Sequence, residues 1–592
     1  MKIKVSDYII RRLSLEPVKH IFLLPGGGCM YLIDAIARQD KLTPITLLHE
    51  QSVGIAAESY AQYGNQLGIA LVTTGPGATN AITPCAAAWT DSTAMIFISG
   101  QVKSSDSADQ YGVRQLGFQE VPIVEMVSPI TKRAIKLQDP SEIVDELERM
   151  LFECRSGRPG PVWLDIPLDI QNSDIDIEDI HQFTSRENEQ FQTSEDSLVI
   201  QNIIDSLRVA EKPCILIGNG VRLSGQLNQM KQICTLLKIP TLLSWKMIDF
   251  LDESDINNAG RPGAIPQPWS NLIQQKCDLL IAFGARIDTG QSAYNLTGFA
   301  KQAKKIIIDV DEAELKKFPR ENFNLIQADL SIVLPQLLVD LKEQVTTMPV
   351  WNEWLHEVKE LRNGFAGVFD FQSSTRGQLS LYEFIDCLSD SLPRDALVVP
   401  GSSGACSEVV MQAFKVKLGQ RIFNSEGLGP MGFGIPAAIG AFLASGGKQV
   451  ISIDGDGGFL MNLQELASAK KHADHIVFFV LNNNGYASIK ATQDRLFDGR
   501  RLGTDPLTGL ALVDLKKVAS AFDLNYRQID SSVDLKYSIN EILKTSSSTL
   551  VEVLVDENHK TLPRVKSIRD KTGNPLPSNM EIMDFPQNWG QS

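Results

Sequence analysis

Short runs of Val, Ile and Leu alternate along the chain with segments whose apolar residues recur at helical spacing. This alternation is typical of parallel sheets covered by helices, so the sequence predicts an α/β fold of doubly wound parallel-sheet domains. Two long polar stretches interrupt the pattern and predict linkers. The predicted organisation is a first domain at 1–170, a linker at 171–197, a second domain at 198–345, a linker at 346–378, a third domain at 379–560 and a tail at 561–592.

Composition fits globular domains and argues against several classes of partner. The chain has 592 residues, 43% of them apolar, and a formal net charge of −15 without a block of like charge, so no nucleic-acid surface is predicted. No run of about 18 uncharged apolar residues predicts a membrane span. The first residues, MKIKVSDYIIRRLSLE, lack the apolar core of a secretory signal, and the eight cysteines form no CxxC pair. We therefore expect a cytoplasmic protein with reduced thiols.

The third domain contains a predicted strand, glycine turn, helix, strand and polar turn in KQVISIDGDGGFLMNLQELASAKKHADHIVFFVLNNNGYASI. The two strands of such a βαβ unit are parallel. We therefore expect Asp456 and Asn483 at one edge of the sheet, where open α/β sheets bind ligands. Because Gly455, Gly457 and Gly458 have no side chains, the backbone there can closely approach a diphosphate.

The same turns offer oxygen ligands for a divalent cation. Mg²⁺ takes few protein ligands and completes its octahedral shell with phosphate and water oxygens. The Asp456 carboxylate, the Asn483 side-chain carbonyl and the Gly485 main-chain oxygen suit that requirement. Either motif alone would be explained as a tight turn or a surface loop. Together, at this spacing, they predict a site for Mg²⁺ and a diphosphate cofactor.

The GDG and NN motifs resemble the hallmark of thiamine-diphosphate-dependent decarboxylases and carboligases, and NSEGLGPMGFGIPAAIGA at 424–441 is similar to that family's segment between the two cofactor rings. The resemblance implies that the Gly429 carbonyl accepts a hydrogen bond from the aminopyrimidine and that Met431 bends the cofactor. The three domains would then be a pyrimidine-binding domain, a central Rossmann-like domain and a diphosphate-binding domain. Further cofactor contacts are implied at Gly401, Ser402, Ser403 and Tyr486.

The stretch TLLHEQSVGIAAESYAQYG at 46–64 places Glu50 between an apolar run, which predicts a buried strand, and a helix of small residues. An unpaired charge in a buried position is unfavourable, so this placement requires a partner. Glu50 matches the family glutamate, which the resemblance implies bonds pyrimidine N1' and makes the 4' amine a base for the thiazolium proton. The alternative is a buried glutamate paired with an arginine or with backbone amides.

The resemblance also implies an oligomer. In the family, this glutamate and the diphosphate site belong to different subunits, so the smallest active unit would be a homodimer. A homotetramer and an added regulatory subunit are alternatives that the sequence leaves open.

Four segments, LPGGGCMYLIDAI, VTTGPGATNAITPCAAAWTDS, ISGQV and FQEVPIVEMVSPITKRA, resemble the acetolactate synthase large-subunit group. By position, Gly28, Phe118 and Gln119 would line the pocket beside the thiazolium, and Lys132 would help to bind an anionic acceptor. For Lys132, a solvated surface charge is an equally good interpretation. The implied reaction is decarboxylation of a 2-keto acid, pyruvate, and transfer of the two-carbon unit to a second carbonyl.

One position departs from the acetolactate synthase pattern. A tryptophan that follows the NN pair in those enzymes selects a larger keto-acid acceptor, whereas this chain has Thr492 or a neighbour there and its next tryptophan is Trp589. Segments such as GRPGAIPQPWSN and GARIDTGQSAYN also resemble relatives from polysaccharide and deoxysugar pathways, which transfer the unit to a keto-sugar nucleotide. Further alternatives are a non-ligating decarboxylase and a catalytically silent regulatory homologue. Intact Glu50, Asp456 and Asn483 argue against the last.

The central domain carries a weaker nucleotide signal. In CILIGNGVRLSG, glycines follow a strand, but their spacing is not the dinucleotide fingerprint. Together with GARID at 284–288 and DVD at 309–311, it resembles the domain that holds a non-redox FAD in acetolactate synthases. Some relatives bind ADP there or nothing, so these alternatives to FAD stay open.

Overall fold

The computed structural model describes residues 2–176, 194–370, 379–572, 574–576, 578–586 and 589. It contains three six-stranded sheets, one after another along the chain, in which every neighbouring pair of strands is parallel. Helices connect most of the successive strands. The predicted α/β fold with three parallel-sheet domains is therefore confirmed.

The N-terminal domain combines one parallel sheet with a short antiparallel ribbon. Its strands are β1 (Lys2–Lys4), β2 (His20–Leu23), β3 (Thr43–Thr46), β4 (Gly68–Val72), β5 (Met95–Gln101), β6 (Arg133–Lys136), β7 (Pro161–Pro167) and β8 (Asp174–Asp176). Its helices are α1 (Val5–Leu13), α2 (Met30–Ala37), α3 (Glu50–Gly64), α4 (Pro76–Asn80), α5 (Ile82–Thr90), α6 (Ile123–Val127), α7 (Ile143–Glu153) and α8 (Leu168–Gln171). The strand order is β3-β2-β4-β5-β7-β6, and β1 pairs with β8.

Strand β3 corrects one expectation. The apolar run before Glu50 predicts a buried strand, but β3 lies at the edge of its sheet and only Ile45 in it is buried. An edge strand has a neighbour on one side only, which leaves more of its side chains near solvent.

The central domain has the strand order β11-β10-β9-β12-β13-β14, where β9 is Pro213–Ile217, β10 Thr241–Leu243, β11 Asn258–Gly260, β12 Leu279–Phe283, β13 Lys304–Asp309 and β14 Phe323–Gln327. The chain order reverses between β9 and β12, so a ligand crevice is expected at their carboxyl ends. The helices here are α9 (Ser194–Val209), α10 (Gly220–Leu223), α11 (Leu227–Leu237), α12 (Pro268–Lys276), α13 (Glu312–Lys316), α14 (Leu330–Gln344) and α15 (Asn352–Gly364).

The C-terminal domain has the order β16-β15-β17-β18-β20-β19, where β15 is Leu397–Pro400, β16 Arg421–Ile422, β17 Val450–Gly455, β18 Ile476–Asn482, β19 Asn525–Ile529 and β20 Thr549–Leu554. Its helices are α16 (Leu381–Ser391), α17 (Ala405–Ala413), α18 (Gly434–Ala444), α19 (Asp456–Phe459), α20 (Glu465–His472), α21 (Ala487–Leu496), α22 (Leu515–Ala521) and α23 (Leu535–Leu543). In the described part of the chain, every helix is too short or too polar to cross a bilayer.

The predicted domain boundaries stay predictions, but the described residues add detail to both linkers and the tail. Linker 171–197 includes β8, and its residues 177–193 lie outside the described part. Linker 346–378 includes α15, whose buried Trp354 donates to the Pro213 carbonyl at 3.0 Å. The tail forms β21 (Arg564–Val565), β22 (Ile568–Arg569), β23 (Pro575–Leu576) and β24 (Met583–Asp584), and its Met580 is buried in the core of the central domain.

The small residues after Glu50 are explained by contact between α3 and α18. A Cβ on Gly440 would lie 2.1 Å from the carbonyl oxygen of Ala56, so the two helices meet backbone to backbone. Ser59 also donates to the Ala437 carbonyl at 2.6 Å. The N-terminal and C-terminal domains of one chain consequently share a continuous apolar core.

Candidate functional site

Glu50 is the first residue of α3 and lies at the carboxyl edge of the N-terminal sheet. Its Oε2 accepts a hydrogen bond from Asn80 Nδ2 at 3.0 Å, while its Oε1 faces Gly77, where an added Cβ would lie 3.4 Å away. The side chain is half-buried in the single chain. Among the described residues, the Glu50 carboxylate has neither an arginine ion pair nor a hydrogen bond from a backbone amide, so neither partner of the paired-glutamate alternative is seen.

Gly28 lies at the same edge, directly against the segment that follows β4. Its amide donates to Thr73 Oγ1 at 3.1 Å, and its carbonyl accepts from Gln171 Nε2 at 2.7 Å. A Cβ at Gly28 would lie 1.8 Å from Thr74 Oγ1. Only glycine therefore fits this position without moving Thr74.

The loop between β5 and α6 brings Phe118 and Gln119 to this edge. Gln119 has a left-handed backbone, with φ 65°, and its carbonyl oxygen lies 2.0 Å from the place where Gly75 would carry a Cβ. Glu120 anchors the loop, because its buried carboxylate accepts from the amides of Ala108, Leu116 and Gly117. Burial alone would raise the pKa of Glu120, but these hydrogen bonds outweigh it and lower the pKa.

Gly28, Glu50, Phe118 and Gln119 form what we call the N-terminal half-site.

Lys132 lies elsewhere. It immediately precedes β6, and because all strands of this sheet are parallel, it is at the amino edge, opposite the edge that carries Glu50. Its ammonium donates to the Ser156 carbonyl at 2.5 Å. Within one chain, Lys132 is thus not brought together with the other predicted pocket residues.

The GDGG and NNNG turns lie at the carboxyl edge of the third sheet, where β17 and β18 are parallel neighbours. Asp456 follows β17, and its two carboxylate oxygens accept hydrogen bonds from the amides of Gly457 at 2.7 Å and Gly485 at 2.9 Å. The structure therefore brings the GDGG and NNNG turns into direct contact. Burial raises the pKa of Asp456 to about 6.

The oxygen atoms at this contact fit a Mg²⁺ ion. Asn483 Oδ1 is buried and has no hydrogen-bond partner among the described residues, which is unusual for a buried acceptor. The Gly485 carbonyl accepts from the Ala487 amide and keeps a second lone pair. No group of three or more His, Cys, Asp and Glu side chains suited to a metal occurs among the described residues. A cation here would thus rely on one carboxylate, amide and carbonyl oxygens, and a phosphate, as Mg²⁺ commonly does.

The turn after β16 approaches the loop after β15. Gly429 has φ 64°, and an added Cβ there would lie 3.1 Å from the Ser402 carbonyl oxygen. Ser402 Oγ accepts from the Ser425 amide at 3.1 Å. Met431 is half-buried beside these residues in sequence. The residues predicted from the sequence for this side of the site, which we call the C-terminal half-site, are Gly401, Ser402, Ser403, Gly429, Met431, Gly455, Asp456, Gly457, Gly458, Asn483, Gly485 and Tyr486.

An added side chain would meet different surroundings at each glycine of the GDGG turn. At Gly455, an added Cβ would meet no described atom within 4 Å. At Gly457 it would lie 2.2 Å from the Tyr486 ring, and at Gly458 it would lie 2.8 Å from Asp454 Oδ1. Gly401 likewise leaves room for Asp454, whose pKa burial raises to about 7. Part of the glycine pattern therefore accommodates a buried aspartate rather than only a ligand.

Sequence reasoning missed a junction of all three domains just before Gly429. Asp91, at the end of α5, accepts from the amides of Glu426 at 3.0 Å and Gly427 at 2.7 Å. Lys246 of the central domain donates to Asp91 at 2.8 Å and to the Asn424 carbonyl at 2.6 Å. The junction joins partners far apart in sequence, so its only sequence signal is a charge after an apolar helix.

Two adjoining cavities lie beside this junction. One, of about 360 Å³, is at the carboxyl ends of the central strands, where Gly218, Gly284 and Asp309 line it. The other, of about 990 Å³, shares Arg286 with it and reaches Gly429. A Cβ on Gly218 would lie 2.1 Å from the Gly284 carbonyl oxygen, so these glycines permit a backbone contact within the domain.

Although packing explains these glycines, other residues around the 360 Å³ cavity suit a dinucleotide ligand. Asp309 ends β13, as the ribose-binding carboxylate of a dinucleotide site does, and burial raises its pKa. Arg158, from the N-terminal domain, and Arg286 offer guanidinium groups suited to a diphosphate. Arg158 also forms an ion pair with Glu314 at 2.7 Å, so an anion bound in the cavity would compete with Glu314 for the guanidinium group.

Comparison with protein families gives an independent result. Three models of thiamine pyrophosphate enzymes match in succession: the N-terminal TPP binding domain at residues 3–126, the central domain at 200–337 and the C-terminal TPP binding domain at 402–553. These matches fall in the three sheet domains, and the first and last contain most of the two half-sites.

Individual relatives extend over nearly the whole chain. A probable acetolactate synthase large subunit from Methanocaldococcus jannaschii is 30% identical, over 93% of this chain and 92% of that protein. Acetolactate synthase 1, chloroplastic, from Oryza sativa subsp. japonica is 29% identical, over 95% and 86%. The acetolactate synthase isozyme 1 large subunit from Escherichia coli (strain K12) is 28% identical, over 95% of each chain. The chain therefore belongs to the thiamine pyrophosphate enzyme family. Within that family, it is similar to acetolactate synthase large subunits.

Proposed function

We propose that the protein decarboxylates a 2-keto acid, pyruvate, and joins the remaining two-carbon unit to a second carbonyl compound. The observation that carries this proposal is the unpartnered, buried Asn483 Oδ1 in the turn whose Gly485 amide donates to the Asp456 carboxylate. A carboxylate and an amide oxygen in adjoining turns suit a cation that holds a diphosphate. When bound, thiamine diphosphate would supply a thiazolium carbon that adds to the keto group and accepts the electrons released with CO₂.

The proposed roles of the N-terminal half-site concern the proton and the substrate. Glu50 would hold a proton at Oε1, since Asn80 already engages Oε2, and would exchange it with the pyrimidine nitrogen. Gly28 and Gln119 would border the substrate, and Phe118 would exclude water from it. A role for Lys132 in binding an anionic acceptor would require a second subunit, because this lysine lies at the opposite edge of its own sheet.

The proposed roles of the C-terminal half-site concern the cofactor. Asp456, Asn483 and the Gly485 carbonyl would hold Mg²⁺. Gly429 would accept a hydrogen bond from the aminopyrimidine, and Met431 would fill the bend between the rings. The loop Gly401, Ser402 and Ser403, the GDGG glycines and Tyr486 would surround the diphosphate.

The complete site is proposed to form between two copies of the chain. No hydrogen bond joins Glu50 to the C-terminal half-site among the described residues of one chain. Apolar side chains are exposed at both half-sites. Phe118 of the N-terminal half-site is 87% exposed. Leu502 and Leu507 are 80% and 98% exposed in the segment after α21, whose Thr504 carbonyl accepts from the Tyr486 amide of the C-terminal half-site. Pairing of two chains would cover both regions. A tetramer stays a prediction, as does the cytoplasmic location.

A keto-sugar nucleotide is the second candidate for the acceptor. Thr492 lies on α21, with its hydroxyl donating to the Ser488 carbonyl at 3.0 Å, and it lacks the bulk of an indole. The smaller side chain at this position favours a bulky acceptor over a second small keto acid.

Product analysis tests the reaction and separates the alternatives. We expect purified protein with Mg²⁺ and thiamine diphosphate to release CO₂ from pyruvate and to form a carbon–carbon bond. Mass analysis with pyruvate alone, and with a panel of keto acids and keto-sugar nucleotides, identifies the acceptor. Acetaldehyde as the only product would indicate a non-ligating decarboxylase. Cofactor binding without any turnover would indicate a silent homologue, and either result would contradict the proposal.

FAD is the proposed occupant of the central cavities. The two adjoining cavities are lined by residues from Asp309 to Gly429, and Arg158 and Arg286 supply guanidinium groups suited to a diphosphate. We expect freshly purified protein to show flavin absorption at about one flavin per chain, without bleaching during turnover, since the proposed reaction needs no redox step. Colourless protein that releases ADP on denaturation, or no nucleotide, would contradict FAD.

A further inference from the structure

Lys490 is a buried lysine on the first turn of α21, directly behind the NNNG turn. Only 4% of the residue is exposed. Its ammonium donates to two successive main-chain carbonyls, those of Asn483 at 2.8 Å and Asn484 at 3.2 Å. An ammonium buried at this depth needs such partners, because losing its hydration is otherwise strongly unfavourable.

The turn that Lys490 contacts has an unusual backbone. Asn484 and Gly485 both have positive φ, at 59° and 122°. Such a sequence of left-handed residues persists only where its surroundings hold it. The amide of Gly485 is held by Asp456, and the amide of Tyr486 donates to the Thr504 carbonyl at 2.9 Å. The carbonyls of Asn483 and Asn484 are held by Lys490.

We infer that Lys490 is a positioning residue that fixes the NNNG turn so that Asn483 Oδ1 and the Gly485 carbonyl face a divalent cation. This inference rests on the proposed Mg²⁺ and thiamine diphosphate site. Lys490 holds the main-chain carbonyl of Asn483 and thereby leaves the side-chain oxygen of the same residue for the metal. Groups that orient metal ligands in this way commonly change metal affinity by about 10- to 100-fold when removed.

The test measures cofactor binding rather than turnover. With saturating thiamine diphosphate and the full chain, Mg²⁺ is titrated while quenching of intrinsic fluorescence reports binding, and thermal unfolding is followed without ligands. We expect Lys490→Met to raise the Mg²⁺ concentration at half-saturation about 10-fold or more. Lys490→Gln, which keeps an amide donor, should lie between it and the wild type. Lys516→Met, at an exposed lysine on α22, should match the wild type.

Three outcomes are distinguishable. Half-saturation of Lys490→Met at the wild-type Mg²⁺ concentration, even with a lower unfolding temperature, would show that the lysine only stabilises the fold and would overturn the inference. If Lys490→Met does not fold, the Mg²⁺ concentration at half-saturation is measured for Lys490→Gln instead. A value equal to that of the wild type would overturn the inference. Absence of Mg²⁺-dependent thiamine diphosphate binding in the wild type would instead overturn the proposed function.

Discussion

Replacement of Glu50 by Gln is expected to lower the rate of pyruvate consumption by a factor of about 100 or more while thiamine diphosphate still binds. The amide has nearly the shape of the carboxylate and can still meet Asn80, so the fold should persist. It cannot exchange a proton with the pyrimidine nitrogen as a carboxyl group does. The loss should therefore fall on turnover and leave cofactor affinity within a small factor of the wild type.

The measurement combines steady-state kinetics with cofactor titration and thermal unfolding. Glu142→Gln is a matched control, because it makes the same chemical change at an exposed residue of the same domain. The control should retain full activity. Near-full activity in Glu50→Gln would contradict the proposed proton exchange, and loss of cofactor binding would assign Glu50 to binding alone.

The candidate cofactor turns could be predicted from sequence because their evidence is local. Asp456 and Asn483 each follow a strongly apolar strand, and the segment between them has the length of a crossover helix. Parallel strands joined in this way put their carboxyl ends on one edge. That reasoning needs no knowledge of distant contacts, and the structure brings the two turns within hydrogen-bond distance.

The same strand reasoning could have located Lys132. It precedes a strand whereas Glu50 follows one, so in a parallel sheet the two residues must lie at opposite edges. The predicted role of Lys132 rests on the resemblance alone. Lys132 can bind an anionic acceptor only if another subunit brings this lysine to the pocket.

Other features depend on contacts that a single sequence does not encode locally. Asp91 meets Lys246 and the Gly427 amide from positions in three different domains. Nor does the glycine pattern show that Gly458 makes room for Asp454. The exposed edge position of β3 depends on strand order, which hydropathy alone does not give. These features arise from tertiary packing.

A mixture of two inactive variants provides the strongest test of where the half-sites meet. Glu50→Gln disables the N-terminal half-site, and Asp456→Asn removes the one carboxylate of the candidate Mg²⁺ site. Each variant alone is expected to have about 1% of wild-type activity or less. If each active site combines Glu50 of one chain with Asp456 of another, a mixed dimer contains one site in which both residues are intact.

Co-expression of the two variants with different affinity tags, followed by successive purification on both tags, yields the mixed assembly. We expect it to recover about half of the wild-type activity per dimer, because one of two symmetry-related sites is complete. Glu50→Gln chains carrying both tags serve as the control and should stay inactive. If Glu50 and Asp456 served the same site within one chain, every site in the mixed dimer would lack one of them and no activity would return. Recovery therefore requires a site shared between chains, and its absence in a folded, cofactor-binding mixed dimer would contradict the proposed arrangement.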